Sequence, residues 1–292
     1  MQKFAEHWQR FFFEKIPPHG LACIRIALGF TLLALWGRYA ADVSLMFSDA
    51  GVVVPYWETP LLTPPSVAAA WLLYGLLLLG ILCILLGFSY RIACATTVTI
   101  IIYFGLLSFH NFLASWGRLL FFTLIILSMS NADCTLSLRM RRAQGAWTAW
   151  QAVPAWPQRM IAIQVAATYM GVGMQKAFLP DWQGGEIIAY SFVNMWSTPV
   201  AYVVARGGIP LCVYDALSWG VKLLHGLLPI GLWMKRYQRY CFAAGAIFHL
   251  IITITMGMWW FLLLIPLYLA FVDPRYLNDA VESRLHLQRR TS

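Results

Sequence analysis

Apolar runs of about twenty residues recur along this chain, separated by short charged or Pro-rich punctuation, and this spacing constrains the fold more than any single motif. A run of that length matches the hydrocarbon thickness of a bilayer when helical. In water it would have to be enclosed by a polar shell, and 11% charged side chains against 60% hydrophobic ones, with a mean hydropathy of +0.67, cannot supply one. The same composition excludes disordered, collagenous and disulfide-scaffold classes. A net charge of +9 raises the question of nucleic acid, but the basic residues are interleaved with apolar runs, which is how charge orients a chain in a membrane. No nucleic-acid partner is expected. The partner of first importance is the lipid bilayer.

The runs predict spans near Leu21 to Ala41, Val67 to Gly87, Ile92 to Phe109, Phe112 to Ser130, Met160 to Leu179, Leu211 to Trp233, Tyr240 to Met256 and Gly257 to Val272. The last two share so few residues that only a tight turn near Gly257 can join them. With the N-terminus inside, Lys3, Arg10, Lys15, Arg91, the group Arg139, Arg141, Arg142 and Arg159, then Lys235, Arg236, Arg239, and finally Arg275, Arg284, Arg289 and Arg290 all fall on the cytoplasmic side. Only Arg38 and Arg206 reach the outer boundary. The expected fold is therefore an all-α integral membrane protein: a multipass helical bundle of about eight transmembrane helices with both termini cytoplasmic. It divides into a cytoplasmic segment 1–20, a membrane domain 21–273 and a basic tail 274–292. The first run is too long for a signal h-region and no small-x-small cleavage site follows it, so it reads as an anchored helix. Cys23, Cys83, Cys94, Cys134, Cys212 and Cys241 read as small core residues, not disulfides. The Arg- and Trp-rich stretch from Asn131 to Gln158 reads as lying on the bilayer surface.

Ionisable groups inside a span cost about 2.5–3.5 kcal/mol each on insertion scales, so each needs a route to the headgroups or a partner. Arg25 and Arg38 are near enough to span ends to snorkel. Arg118 lies deeper and is expected to pair inside the bundle or to serve a substrate. Asp215, Lys222 and His225 can share one helical face, as an ion path or as a polar core satisfied by other helices. No metal-ligand spacing, phosphate loop, dinucleotide loop or Gly-x-Ser-x-Gly appears, so no metal is predicted.

The stretch from Tyr169 through Gly173, Lys176, Asp181 and Trp182 to Gly185 carries the most information. Lys176 follows Tyr169 by two helical turns on roughly one face, and an Asp-Trp turn comes immediately after it. An amine kept from water by aromatic neighbours loses proton affinity, which suits general-base work; a helix-end lysine snorkelling to the headgroups is the other reading.

These residues resemble the HTTM family, the membrane domain shared by vitamin K-dependent gamma-carboxylase and many bacterial proteins. The Tyr, Gly, Lys and Asp-Trp-x-x-Gly of that family match Tyr169, Gly173, Lys176, Asp181, Trp182 and Gly185. Asp49 and Gly51 resemble its Asp-x-Gly loop, His110 to Leu113 its His-x-Tyr-Leu element, and His249 with Gly257, Met258 and Phe261 its late His and Gly-Met-Phe element. In the carboxylase the matching lysine is regarded as the base that deprotonates vitamin K hydroquinone, and the matching histidine as an aid to carboxylation. The resemblance thus implies Lys176 and His110 as catalytic residues, Tyr169, Trp182, Asp49 and His249 as substrate-binding residues, and vitamin K or menaquinone hydroquinone as the cofactor. It implies a bacterial inner-membrane protein that acts at the outer face on a secreted peptide or protein. Two other readings remain: a non-catalytic accessory protein for maturation or export of such a peptide, and a small proton-coupled transporter using Asp215, Lys222, His225 and Arg118.

Overall fold

A computed structural model describes residues 2–55, 57, 59–107 and 114–279. Among them the regular structure is helical apart from one two-residue pairing, and the chain resolves into two compact units. The first runs to Ile161 and resumes at Val272; the second is Ala162–Phe271.

In the first unit, helix α1 (Gln2–Phe13) leads through strand β1 (Lys15–Ile16) into α2 (His19–Gly37), followed by a 3-10 turn Arg38–Ala41 and the short α3 (Val43–Phe47). Helices α4 (Val67–Leu86), α5 (Tyr90–Leu107), α6 (Ser115–Ser128) and α7 (Leu138–Gln144) complete the unit together with strand β2 (Val153–Pro154), which pairs antiparallel with β1. Helix α4 packs against α2 and α5, and α5 packs against α6. Phe47 stacks on Phe104 at 4.3 Å with Trp36 alongside, and the Tyr74 hydroxyl donates to the Trp36 carbonyl at 2.8 Å, so the aromatics that fill this core also tie α2 to α4. Ser66 caps α4 by accepting from the Ala69 N–H, and Gly87 in the left-handed region ends it.

Two expectations fail here. Arg25 does not snorkel: its side chain is fully buried and donates to the carbonyls of Ile84 and Leu85 at 2.7 and 2.5 Å, of Ala132 at 3.1 Å and of Leu136 at 2.6 Å. The Ile84 carbonyl also accepts from the capping Gly87 N–H, the Leu85 carbonyl lies past the ladder of α4, and a planar guanidinium reaches both and the 131–136 loop together. Arg118 is not deep in a span either. Ala114 is extended and α6 starts at Ser115, so Arg118 stands in the first turn and is exposed.

The second unit holds most of α8 (Trp156–Phe178), a 3-10 turn Pro180–Trp182, short helices α9 (Glu186–Ser191) and α10 (Pro199–Arg206), then α11 (Leu211–Trp233), α12 (Gln238–Met256) and a 3-10 stretch Trp259–Phe271. Helix α11 packs against α9 and α12, and α12 packs against the 3-10 stretch. Gly257, at φ +65°, makes the reversal after α12. The 13 residues beyond it rise about 2.0 Å each as a 3-10 helix, covering ~26 Å where an α-helix of the same length would cover ~20 Å.

Among the described residues, four helical segments are long and apolar enough to cross a membrane: His19–Ala41, Val67–Leu86, Tyr90–Leu107 and Gln238–Met256. Ser115–Ser128 and Trp259–Phe271 are apolar but shorter. Leu250 and Ile254 stand exposed along α12, as expected of an integral membrane protein whose surface meets lipid. All six cysteines are free.

Candidate functional site

On α8, Tyr169, Gly173 and Lys176 follow at helical spacing and form one face. Gly173 is where this face meets α11: a Cβ there would stand 3.0 Å from the Cβ of His225, a tight contact that glycine avoids. Lys176, one turn further, directs its Nζ over the Trp182 ring, 4.3 Å from the centroid. Among the described residues it makes no hydrogen bond or ion pair, so this amine is held by an aromatic face alone.

The turn that carries Trp182 is fastened at several points. Gln183 donates through Nε2 to the carbonyls of Ala177 at 2.8 Å and Leu179 at 3.1 Å, closing the end of α8. The Trp182 carbonyl accepts from Lys222 Nζ at 2.8 Å and from the Ser218 hydroxyl at 3.2 Å. The Gly185 N–H donates to Asp215 Oδ1 at 2.6 Å. A Cβ on Gly185 would collide with the backbone of Tyr214 and Asp215, so the turn docks flat on α11 only because that residue is glycine. Asp215, Ser218 and Lys222 lie at i, i+3 and i+7, which puts all three anchors on one stripe of α11. Lys222 is further held by the Trp219 ring, 3.8 Å from its centroid. The partners expected on other helices for Asp215 and Lys222 are instead backbone groups of the turn.

Deeper in the unit, the Tyr169 hydroxyl lies 2.6 Å from His249 Nε2 and 2.5 Å from the Tyr268 hydroxyl. His225 Nδ1 must donate to the Val221 carbonyl 2.7 Å away, because a carbonyl only accepts, which leaves Nε2 as the acceptor of the neutral ring. Its ring centroid is 5.6 Å from that of Tyr169. His249 is 2% exposed and its Nδ1 has no hydrogen-bond partner among the described residues.

A cavity of about 1440 Å³ opens beside the turn. Its walls are Leu217, Val221 and Leu224 of α11, Ile247, Phe248 and Ile251 of α12, Met258 and Phe261, with Lys176, Trp182, Asp181 and Glu186 as the chemistry at its edge. Drug-sized sites are usually about 300–1,000 Å³, so this one has room for a ring with a long apolar tail.

Of the residues expected at a site, Lys176 and Trp182 line this cavity. Tyr169 and His249 come together with each other, behind the cavity wall: His249 stacks on Phe261, which borders it, at 5.7 Å. Asp49 belongs to the first unit, exposed in the turn after α3 with its N–H donating to the Pro65 carbonyl. His110 lies outside the described residues. Tyr268, Ser218 and Gln183 escaped sequence reasoning. Ser218 was within reach of it, since it completes the spacing of Asp215 and Lys222; Tyr268 sits in an apolar run with no local signal. Among the described residues no group of three or more His, Cys, Asp or Glu is placed to hold a metal.

The family model of the HTTM domain matches residues 13–273, nearly the whole chain. The chain therefore belongs to the HTTM family, whose domain is related to the membrane domain of vitamin K-dependent carboxylase. No curated protein and no solved structure matches it.

Proposed function

We propose that this HTTM protein is a quinol-using membrane enzyme in which Lys176 is the base, at a site open to the outer face of a bacterial inner membrane that the chain crosses eight times with both termini cytoplasmic. The observation that carries the reading is an amine that, among the described residues, pairs with an aromatic ring alone and lines a large apolar cavity. A vitamin K or menaquinone hydroquinone fits that lining: its tail has the volume and the apolar walls it needs, and its hydroxyl has Lys176 to meet it. When bound, the quinol supplies the oxygen-dependent chemistry; the chain's own residues bind it, exclude water and accept a proton at Lys176 Nζ. Trp182 keeps that amine placed, and the Asp215, Ser218 and Lys222 stripe keeps Trp182 placed. His110 is the polar helper by family resemblance, Asp49 a further substrate contact, and a secreted peptide the acceptor.

The transporter reading relies on the polar stripe of α11, and two of its groups are engaged with the backbone of the turn, which gives them a structural task. The accessory-protein reading is separated by experiment. Lipid-reconstituted protein is incubated aerobically with vitamin K hydroquinone or menaquinol and the epoxide is sought by mass spectrometry, wild type beside Lys176→Ala. Epoxide that depends on Lys176 supports the enzyme. No epoxide from folded wild-type protein overturns it in favour of the accessory role.

A further inference from the structure

Helix α1 leaves an aromatic side open. Phe4, Trp8, Phe11 and Phe12 form one side of the helix, and Lys3, Glu6, His7 and Arg10 the other. Their rings follow one another, Phe4 to Trp8 at 6.2 Å and Trp8 to Phe12 at 4.7 Å. Among the described residues only the C-terminal half of this row is used within the protein: Phe12 is 9% exposed and the Arg159 guanidinium lies over Phe11, whereas Phe4 and Trp8 are 73% and 54% exposed.

The level of α1 is set by its joint. Residues 14–18 alone separate it from α2, and β1 within that joint pairs with β2, directly before α8. The Glu14 carbonyl accepts from the Ala155 N–H at 3.0 Å, and Glu14 Oε1 stands 4.0 Å from Arg159 Nη2. The starts of two long helices are thereby tied at one height, and α1 leaves from that height with aromatics bare. An amphipathic helix so tethered belongs where hydrocarbon meets headgroups. Its joint and polar side carry Lys3, Arg10 and Lys15 against Glu6 and Glu14, and α7 in the same unit adds exposed Arg141 and Arg142, so the adjoining surface it complements is negative.

We propose that α1 is an interfacial helix that docks on a bilayer surface containing anionic phospholipid, with Phe4 and Trp8 among the acyl chains and Lys3 and Arg10 at the phosphates. This does not depend on the proposed enzymatic function.

The test uses the full chain in nanodiscs. Subtracting the emission of a Trp8→Phe variant from that of wild type isolates Trp8. In discs whose lipids are brominated near the headgroup, the Trp8 signal should be quenched, while acrylamide in the water should leave it nearly unchanged. Ready quenching by acrylamide would place Trp8 in solvent, and protection from both quenchers would place it against protein; either overturns the proposal. Hydrogen exchange of residues 2–13 then tests the charge. Replacing part of a phosphatidylcholine disc with phosphatidylglycerol should slow it roughly fivefold, the factor for one net basic charge at an anionic surface. Lys3→Glu/Arg10→Glu should abolish that gain. Equal exchange in the two lipids overturns the anionic specificity.

Discussion

If Trp182 is held by its backbone so that its ring can hold Lys176, then loosening the backbone anchor must uncover the amine. Lys222→Met is the perturbation that does this with least disturbance, since methionine keeps the length and apolar stem of the side chain. It removes a charge-assisted hydrogen bond worth about 1.5–3 kcal/mol and a cation–π contact with Trp219 of about 0.5–2 kcal/mol. Against this, no ammonium need then be buried, and Ser218 still donates to the same carbonyl, so the net cost is about 2 kcal/mol. Gly185 remains fastened to Asp215, so the turn loosens but does not detach. The Lys176–Trp182 contact is worth about 1 kcal/mol, and its loss should raise the reactivity of Lys176 about fivefold. The assay is limited amine acylation in nanodiscs with mass-spectrometric quantification of the Lys176 peptide, normalised to exposed Lys235. Trp182→Ala should give the same rise. If Lys222→Met leaves Lys176 labelling unchanged while Trp182→Ala raises it, Lys222 does not hold the turn and the reasoning is refuted. Loss of proton flux in Lys222→Met proteoliposomes with unchanged labelling would restore the transporter reading.

Three further outcomes follow from the geometry. Arg25→Met strands the carbonyls of Leu85, Ala132 and Leu136 and should cost about 3–5 kcal/mol in detergent unfolding; Arg25→Lys should recover little, because one ammonium cannot reach donors' positions spread over a guanidinium. Gly185→Ala forces the turn off α11 at about 1–3 kcal/mol and should raise Lys176 labelling as Lys222→Met does. Tyr169→Phe removes a hydroxyl that meets both His249 and Tyr268 and should cost about 2–4 kcal/mol in unfolding while leaving Lys176 labelling near wild type, since Tyr169 stands behind the cavity wall.

The helices were legible wherever apolar runs were long and cleanly punctuated. The run from Val67 ends at Gly87, which takes the left-handed conformation after α4, and the run from Leu211 coincides with α11. One boundary failed where hydrophobicity ran past the helix start: Ala114 is apolar but extended, and α6 starts at Ser115, which is why Arg118 looked buried. Arg25 was misread for a different reason. Snorkelling is judged from distance to a span end, whereas its four carbonyl partners come from segments some sixty and more than a hundred residues away, which no local pattern announces.

The site was half legible for the same physical cause. Tyr169, Gly173 and Lys176 share a helix face, so spacing alone brings them together. The stripe of Asp215, Ser218 and Lys222 is equally visible on α11, but spacing cannot say that its acceptors and donors are backbone atoms of Trp182 and Gly185. Polar residues in an apolar helix suggest transport when read singly. In this chain all three of the stripe satisfy the backbone of an irregular turn beside an apolar cavity, where unpaired peptide groups are costly. The polarity of α11 and the aromatic cover of Lys176 are thus one device: the first fixes the turn, and the fixed turn presents the ring. An amine held by an aromatic face needs such backing, because a cation–π contact constrains position weakly by itself, and every variant that frees the turn should therefore act on Lys176 before it acts on the fold.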